Sequence, residues 1–227
     1  MPGYDDILAR YATLLSEVDN WFRRCSLVAG EELACQRGCS ACCRGLFDIT
    51  LLDACYLRKG IDLLQPSDRQ KSEELSITRI SSMAEIWPDF SHPFIMNIYP
   101  EEQFDAVMPD DDETPCPLVG DNGHCLVYDH RPMTCRLHGI PLLEIDGEVF
   151  FDEWCTMNFR NSAPLEMSGI RFNFKDIFAQ EQLLFREFTK RLFNKSFNEL
   201  DTVIPAAALI DFSNIILPEG LWNPNSF

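Results

Sequence analysis

The 227-residue chain has no apolar run approaching the roughly 20 residues that a membrane-spanning helix needs, so no membrane segment is expected. It is also short of positive charge: 19 Lys and Arg stand against 36 Asp and Glu, a formal net charge of -17. Nucleic-acid binding rests on cations that neutralise phosphates, so no nucleic-acid partner is expected. An acidic surface gives no help in approaching anionic lipids either, and simple solubility accounts for it. The opening stretch MPGYDDILARYATLLSEVD lacks a basic region, an apolar core and a small-residue cleavage site. It is not read as a secretory signal, and the cytoplasm is the expected compartment. A G-x-G-x-x-G loop, a P-loop, an HExxH helix and an evident Ser–His–Asp order are missing as well, so no reaction is indicated.

What the chain does have is ten cysteines, eight of them in two groups. Cys35, Cys39, Cys42 and Cys43 lie in CQRGCSACCRG. Cys116, Cys125 and Cys135 lie in CPLVGDNGHCLVYDHRPMTCRLHG, and Cys155 follows in DEWCTMNF. Soft thiolates gathered in this way bind zinc, copper(I) or iron–sulfur clusters far better than hard cations. In a reducing compartment such clusters are more often metal-binding than cross-linked. The adjacent pair Cys42–Cys43 also disfavours a plain disulfide scaffold. A metal protein, with metal ions as its partners, is the reading that follows.

Cys39-x2-Cys42 is a spacing found both in zinc knuckles and in iron–sulfur loops. Successive side chains tend to diverge, so Cys42 and Cys43 are expected to reach different ions or different corners of a cluster. Eight thiolates exceed the four that one tetrahedral zinc takes. The Cys116–Pro117 step also occurs at the end of bacterial ferredoxin runs. Zinc and an iron–sulfur cluster both remain open. His138, three residues after Cys135, is the best placed nitrogen donor. His124 and His130 read as neighbours, and nothing recommends His92. Arg37 and Arg44 flank the first group, while Arg131 and Arg136 bracket Cys135. They either hold loops through carboxylate and carbonyl contacts or tune a thiolate centre from outside.

A hydrophobic content of 46% is ordinary for a globular chain. Apolar spacing of three and four residues predicts a helix over 4–25, with Ile7, Tyr11, Leu14, Val18 and Trp21 on one face and Cys25 continuing the stripe as a buried thiol. Cys55 reads the same way, in a segment that Thr50 caps with Asp53 three residues on. Ser67 and Gln70, after Pro66, suggest a capping box for a helix with Ile77, Ile80, Met83 and Ile86 in the core. Residues 88–115, rich in proline, predict irregular chain, with Asp110, Asp111, Asp112 and Glu113 in a solvated loop. Asp146–Gly147 between apolar runs signals a hairpin that folds Cys155 back toward the other cysteines. A further helix is expected over 175–194, and a short one after Pro205. No repeat, low-complexity tract or linker is seen. The expectation is one mainly α domain over 1–227, compact around a cysteine-rich loop core at 35–155, with a small β-hairpin and a helical C-terminal extension over 161–227.

The two boxes, C-x3-C-x2-C-C-R-G and C-P-L-x6-C-x-x-Y-x-x-R-P-x-x-C-R, resemble the YkgJ-type cysteine-cluster family. Tyr128, Arg131, Pro132 and Arg136 occupy the expected places. Three residues separate Cys35 from Cys39, where the family's short name implies two. The resemblance implies zinc- or iron-chelating proteins, some described as holding an iron–sulfur cluster. It implies metal-binding roles for Cys35, Cys39, Cys42, Cys43, Cys116, Cys125, Cys135 and Cys155. Flagellin lysine methyltransferases look similar in their cysteine box, so an enzyme that uses the centre, a methyltransferase or a redox protein, is the alternative.

Overall fold

The computed structural model describes residues 3–109, 111–217 and 221. Helices dominate, joined by turns and two small antiparallel ladders, so the fold is mainly α, as the sequence predicts. Helix α1 (Asp5–Ala29) buries Ile7, Leu8, Tyr11, Leu14, Val18, Trp21 and Cys25 along one face. Asp5 and Asp6 in its first turn complement the helix dipole. The Trp21 indole N–H donates to the Ile170 carbonyl at 2.7 Å, and its ring stacks on Phe172 and meets the edge of Phe174. A buried indole with its one donor satisfied is a strong anchor.

Strand β1 (Asp48–Thr50) leads into α2 (Leu51–Asp62), where the Thr50 hydroxyl accepts from the Asp53 N–H as anticipated. Helix α3 (Pro66–Ile86) departs from expectation in two ways. Pro66 takes the first helical position, so the N-cap falls on Gln65 and the Ser67–Gln70 capping box does not form. Ile77 and Ile86 are about half exposed, at 54% and 50%. The buried stripe instead runs Ser72, Ser76, Ile80, Met83 and Trp87. Small serines let this helix pack closely, and hydrophobicity alone does not reveal them.

The stretch after Trp87 is irregular apart from 3-10 turns and the short α4 (Phe104–Val107). The acidic run is not simply solvated. Asp112 pairs with Arg79 with only 10% of its side chain exposed, and Glu113 pairs with Arg44; Asp110 lies outside the described residues. Helix α5 (Met133–Leu137) carries Cys135. Strands β2 (Leu142–Leu143) and β3 (Val149–Phe151) form the predicted hairpin, with a bulge between Leu142 and Leu143. Helix α6 (Phe174–Phe193) is capped by Asn173 and ends at Asn194 in the left-handed region, φ 56°. Buried Glu144 accepts from the Lys175 N–H at the same N-terminus.

Strand β4 (Asp201–Val203) then pairs with β1, Ile49 opposite Thr202, and α7 (Ile204–Ala207) follows. That ladder joins segments about 150 residues apart, with no turn signal between them to betray it. One hydrophobic core runs through α1, α2, α6 and α7, and the cysteine loops pack against it with Cys116, Cys125 and Cys135 half-buried. Each large apolar side chain buried there stabilises by roughly 1.5–3 kcal/mol.

Candidate metal centre

The two cysteine groups are sewn together by backbone hydrogen bonds. In the first, tight turns are closed by the Cys39 N–H to the Gln36 carbonyl, 2.9 Å, and the Cys43 N–H to the Ser40 carbonyl, 3.0 Å. Arg44 and Pro115 form an antiparallel bridge, and the Cys116 N–H donates to the Cys43 carbonyl at 2.9 Å. A second bridge, Val119 to Cys125, folds the next turn back so that Cys116 and Cys125 neighbour each other. Cys155 returns after the hairpin, its N–H donating to the Gly139 carbonyl at 3.4 Å.

These contacts bring the two cysteine groups side by side: Cys35 and Cys155 flank Gly139, and Cys35, Cys39, Cys42 and Cys135 lie on the wall of one cavity. After burial, charge on Cys155, Cys39 and Cys42 would raise the Cys35 pKa further, and charge on Cys116 and Cys125 that of Cys135. A tight turn closed by the Cys43 N–H to the Ser40 carbonyl presents the adjacent pair. Cys25 and Cys55 are apart from these groups, fully buried as predicted and pushed up to about 12 by burial.

Five of the eight, Cys35, Cys42, Cys116, Cys125 and Cys135, have raised pKa values that favour the neutral thiol. Burial pushes Cys35 up to about 11 and Cys116 up to about 12. Cys135 is raised strongly by burial and by Cys116 and Cys125, Cys125 is raised by burial, and Cys42 is raised by its bond to Cys43 and then by burial. None of the ten cysteines forms a disulfide. Among the described residues, no three His, Cys, Asp or Glu side chains converge closely enough to hold one ion as they stand. Eight soft, half-buried donors suit a thiophilic metal, which supplies the positive charge needed to displace their protons.

Three of the four arginines take one of the two roles foreseen for them. Arg44 pairs with Glu113 and holds a loop. Arg136 is 5% exposed; it pairs with Asp19 on α1 and donates to the Arg131 and Asp129 carbonyls, fixing the segment that leads into α5. Arg131 instead favours the thiolate forms of Cys42, Cys125 and Cys135 through its charge. Arg131 and Arg37 both lie over the Tyr128 ring, 3.8 and 4.8 Å from its centre.

Of the histidines, His138 stands beside the cysteines on the wall of a cavity of about 670 Å³, with its ring edge-on to Phe47 and its pKa lowered by burial. His130 packs on Tyr56, and His124 lies against Gly38 in the first cysteine loop. His92 is far along the chain and accepts from the Asp211 N–H.

Two residues important to the assembly were not singled out for it. Asn158, 1% exposed, donates to the Cys35 sulfur at 3.2 Å and the Gly139 carbonyl at 2.7 Å, and accepts from the Ala34 N–H at 2.9 Å. Its hydrogen bond favours the Cys35 thiolate against burial. Asp53, 2% exposed, accepts from the Tyr11 hydroxyl at 2.6 Å and the Met133 N–H at 2.9 Å, tying the start of α5 to α1 and α2. Asp53 was legible as a cap, but its reach to Met133 was not; Asn158 follows Cys155 by three residues and carries no signal of its own.

A protein-family model described as "CxxCxxCC: Putative zinc- or iron-chelating domain" matches residues 34–156, over half of the chain. No curated protein and no solved structure matches it.

Proposed function

Because this chain belongs to the CxxCxxCC family of zinc- or iron-chelating domains, we propose that Cys35, Cys39, Cys42, Cys43, Cys116, Cys125, Cys135 and Cys155 hold its metal. The observation that carries this reading is the backbone hydrogen bonding that lays the second cysteine group against the first, Cys116 N–H to the Cys43 carbonyl, with Cys35, Cys39, Cys42 and Cys135 on the wall of one cavity. Eight thiolates are more than one tetrahedral ion takes, so the centre is an iron–sulfur cluster or more than one zinc. Arg131 offsets part of the thiolate charge, Asn158 holds the Cys35 sulfur, and Asp53 holds the helix that presents Cys135.

In this account the whole chain works as one unit in the reducing cytoplasm. Residues 35–155 chelate, while the N-terminal and C-terminal helices form the scaffold around them. Single Cys→Ser variants, purified under nitrogen and assayed for metal per chain, test it. Each of the eight is expected to lower the metal content, and Cys25→Ser and Cys55→Ser are expected to keep it. Full metal content in every one of the eight variants would sink the reading.

A further inference from the structure

The cavity beside the cysteines is bounded on one side by α1 and on the other by both cysteine loops, with Cys35, Cys39, Cys42 and Cys135 on its surface. Four arginines also line it: Arg23, Arg37, Arg131 and Arg136. Only Arg136 has a carboxylate within ion-pair distance among the described residues. Arg23 bonds the Asn20 amide, Arg131 the Tyr128 carbonyl, and Arg37 rests on the Tyr128 ring. Arg23, Arg37 and Arg131 thus line the cavity without an ion pair of their own among the described residues, beside Asp19, which Arg136 engages, and Asp129. Arg37 and Arg131 moreover share a single aromatic neighbour. Guanidiniums without a carboxylate partner keep N–H donors available for an anion in the cavity.

From this arrangement we infer that the cavity is a binding site for a small organic anion, a carboxylate or a phosphate ester, seated between Arg23 and Arg37 with Arg131 behind it. Guanidinium forks match both oxyanions bidentately. Phe22, Tyr56 and Tyr128 give part of the otherwise polar wall an aromatic surface for the organic part. About 670 Å³ is ample for a metabolite-sized molecule. The inference rests on the metal-centre reading for what lies beside the ligand; the anion contact itself belongs to the arginines.

Anaerobically purified, metal-loaded full chain is titrated calorimetrically with phenyl phosphate, benzoate and inorganic phosphate. The first two separate the two oxyanions, and the third shows whether the organic part matters. Saturable binding of phenyl phosphate or benzoate is expected. Loss of one charge-assisted contact, about 1.4 kcal/mol or more, makes Arg37→Gln and Arg23→Gln at least about tenfold weaker. Arg10→Gln, whose partner is Glu187 outside the cavity, leaves binding unchanged. Both cavity arginines are exposed, and neither shifts a thiol, so metal content stays at the wild-type value in the two variants. No saturable binding to protein carrying its full metal overturns the inference, as does binding that neither variant weakens. Metal loss in Arg37→Gln without anion binding by the wild type also overturns it, and assigns that guanidinium to balancing the thiolates. Anion binding by protein that never holds metal leaves this inference standing and removes the metal reading instead.

Discussion

Replacing Asp53 by alanine tests how the fold is coupled to the centre. The carboxylate is 2% exposed and receives three hydrogen bonds from other residues' side chains or backbone: the Tyr11 hydroxyl at 2.6 Å, the Met133 N–H at 2.9 Å and the Thr50 hydroxyl at 3.3 Å. Tyr11 keeps a second acceptor in Glu181 at 3.1 Å, and Thr50 is only half-buried. The Met133 N–H, at the first position of α5, is the donor left stranded. A buried donor without a partner costs about 1–3 kcal/mol, and the weakened Tyr11 and Thr50 contacts add to it. Relief of the desolvation that holds the Asp53 pKa up works in the opposite direction. The net expectation for Asp53→Ala is a loss of about 2–4 kcal/mol, a large share of the roughly 5–15 kcal/mol that stabilises a domain. Urea unfolding followed by circular dichroism gives that number, with an unchanged slope showing that the unfolding reaction is the same. Cys135 lies two residues beyond Met133, so metal per chain falls as well. Asp53→Asn keeps an acceptor and loses less than half as much. An Asp53→Ala protein within about 0.5 kcal/mol of wild type, the usual range for an inconsequential site, refutes the reasoning.

Burial pushes Glu181 and Asp201 each up to about 8. A carboxyl raised in the folded state stabilises below its unfolded pKa and loses that contribution as pH rises through the folded one. Stability is therefore expected to fall between about pH 4.5 and about pH 8, by at most about 1.4 kcal/mol per pH unit for each group. Urea midpoints across that range check it, and Glu181→Gln should flatten the slope; an unaltered slope contradicts the assignment. Gly139 has φ +100°, and an added Cβ would stand 3.3 Å from the Cys35 sulfur and 3.4 Å from the Asn158 amide nitrogen. Gly139→Ala is expected to cost about 1–3 kcal/mol and to lower metal content, read by thermal melting and metal analysis. Cys25→Ala should lower stability by about 1 kcal/mol while leaving metal per chain unchanged, which the same two measurements decide.

The helices and the hairpin were legible because their signals are local. The apolar stripe of α1, the Thr50 cap, the Asn194 end of α6 and Asp146–Gly147 each act within a few residues. The two cysteine groups were legible for the same reason, since their spacing is local. What escaped is contact between distant segments: the β1–β4 ladder, the Asp53 to Met133 hydrogen bond, and Asn158 reaching Cys35. Ile77 and Ile86 were expected in the core but are half exposed, because close helix packing buries Ser72 and Ser76, small polar residues that a hydrophobic pattern counts as surface. The arginines look alike in sequence, yet Asp19 and Glu113 engage two of them while Arg37 and Arg131 face the cavity. Only the fold tells them apart.

The most direct test of the central claim is metal analysis, acid-labile sulfide and an absorption spectrum on one sample of the full chain purified under nitrogen. The account predicts stoichiometric metal, either iron with sulfide and a broad visible band or colourless protein with more than one zinc per chain. A fully folded chain carrying no metal contradicts it.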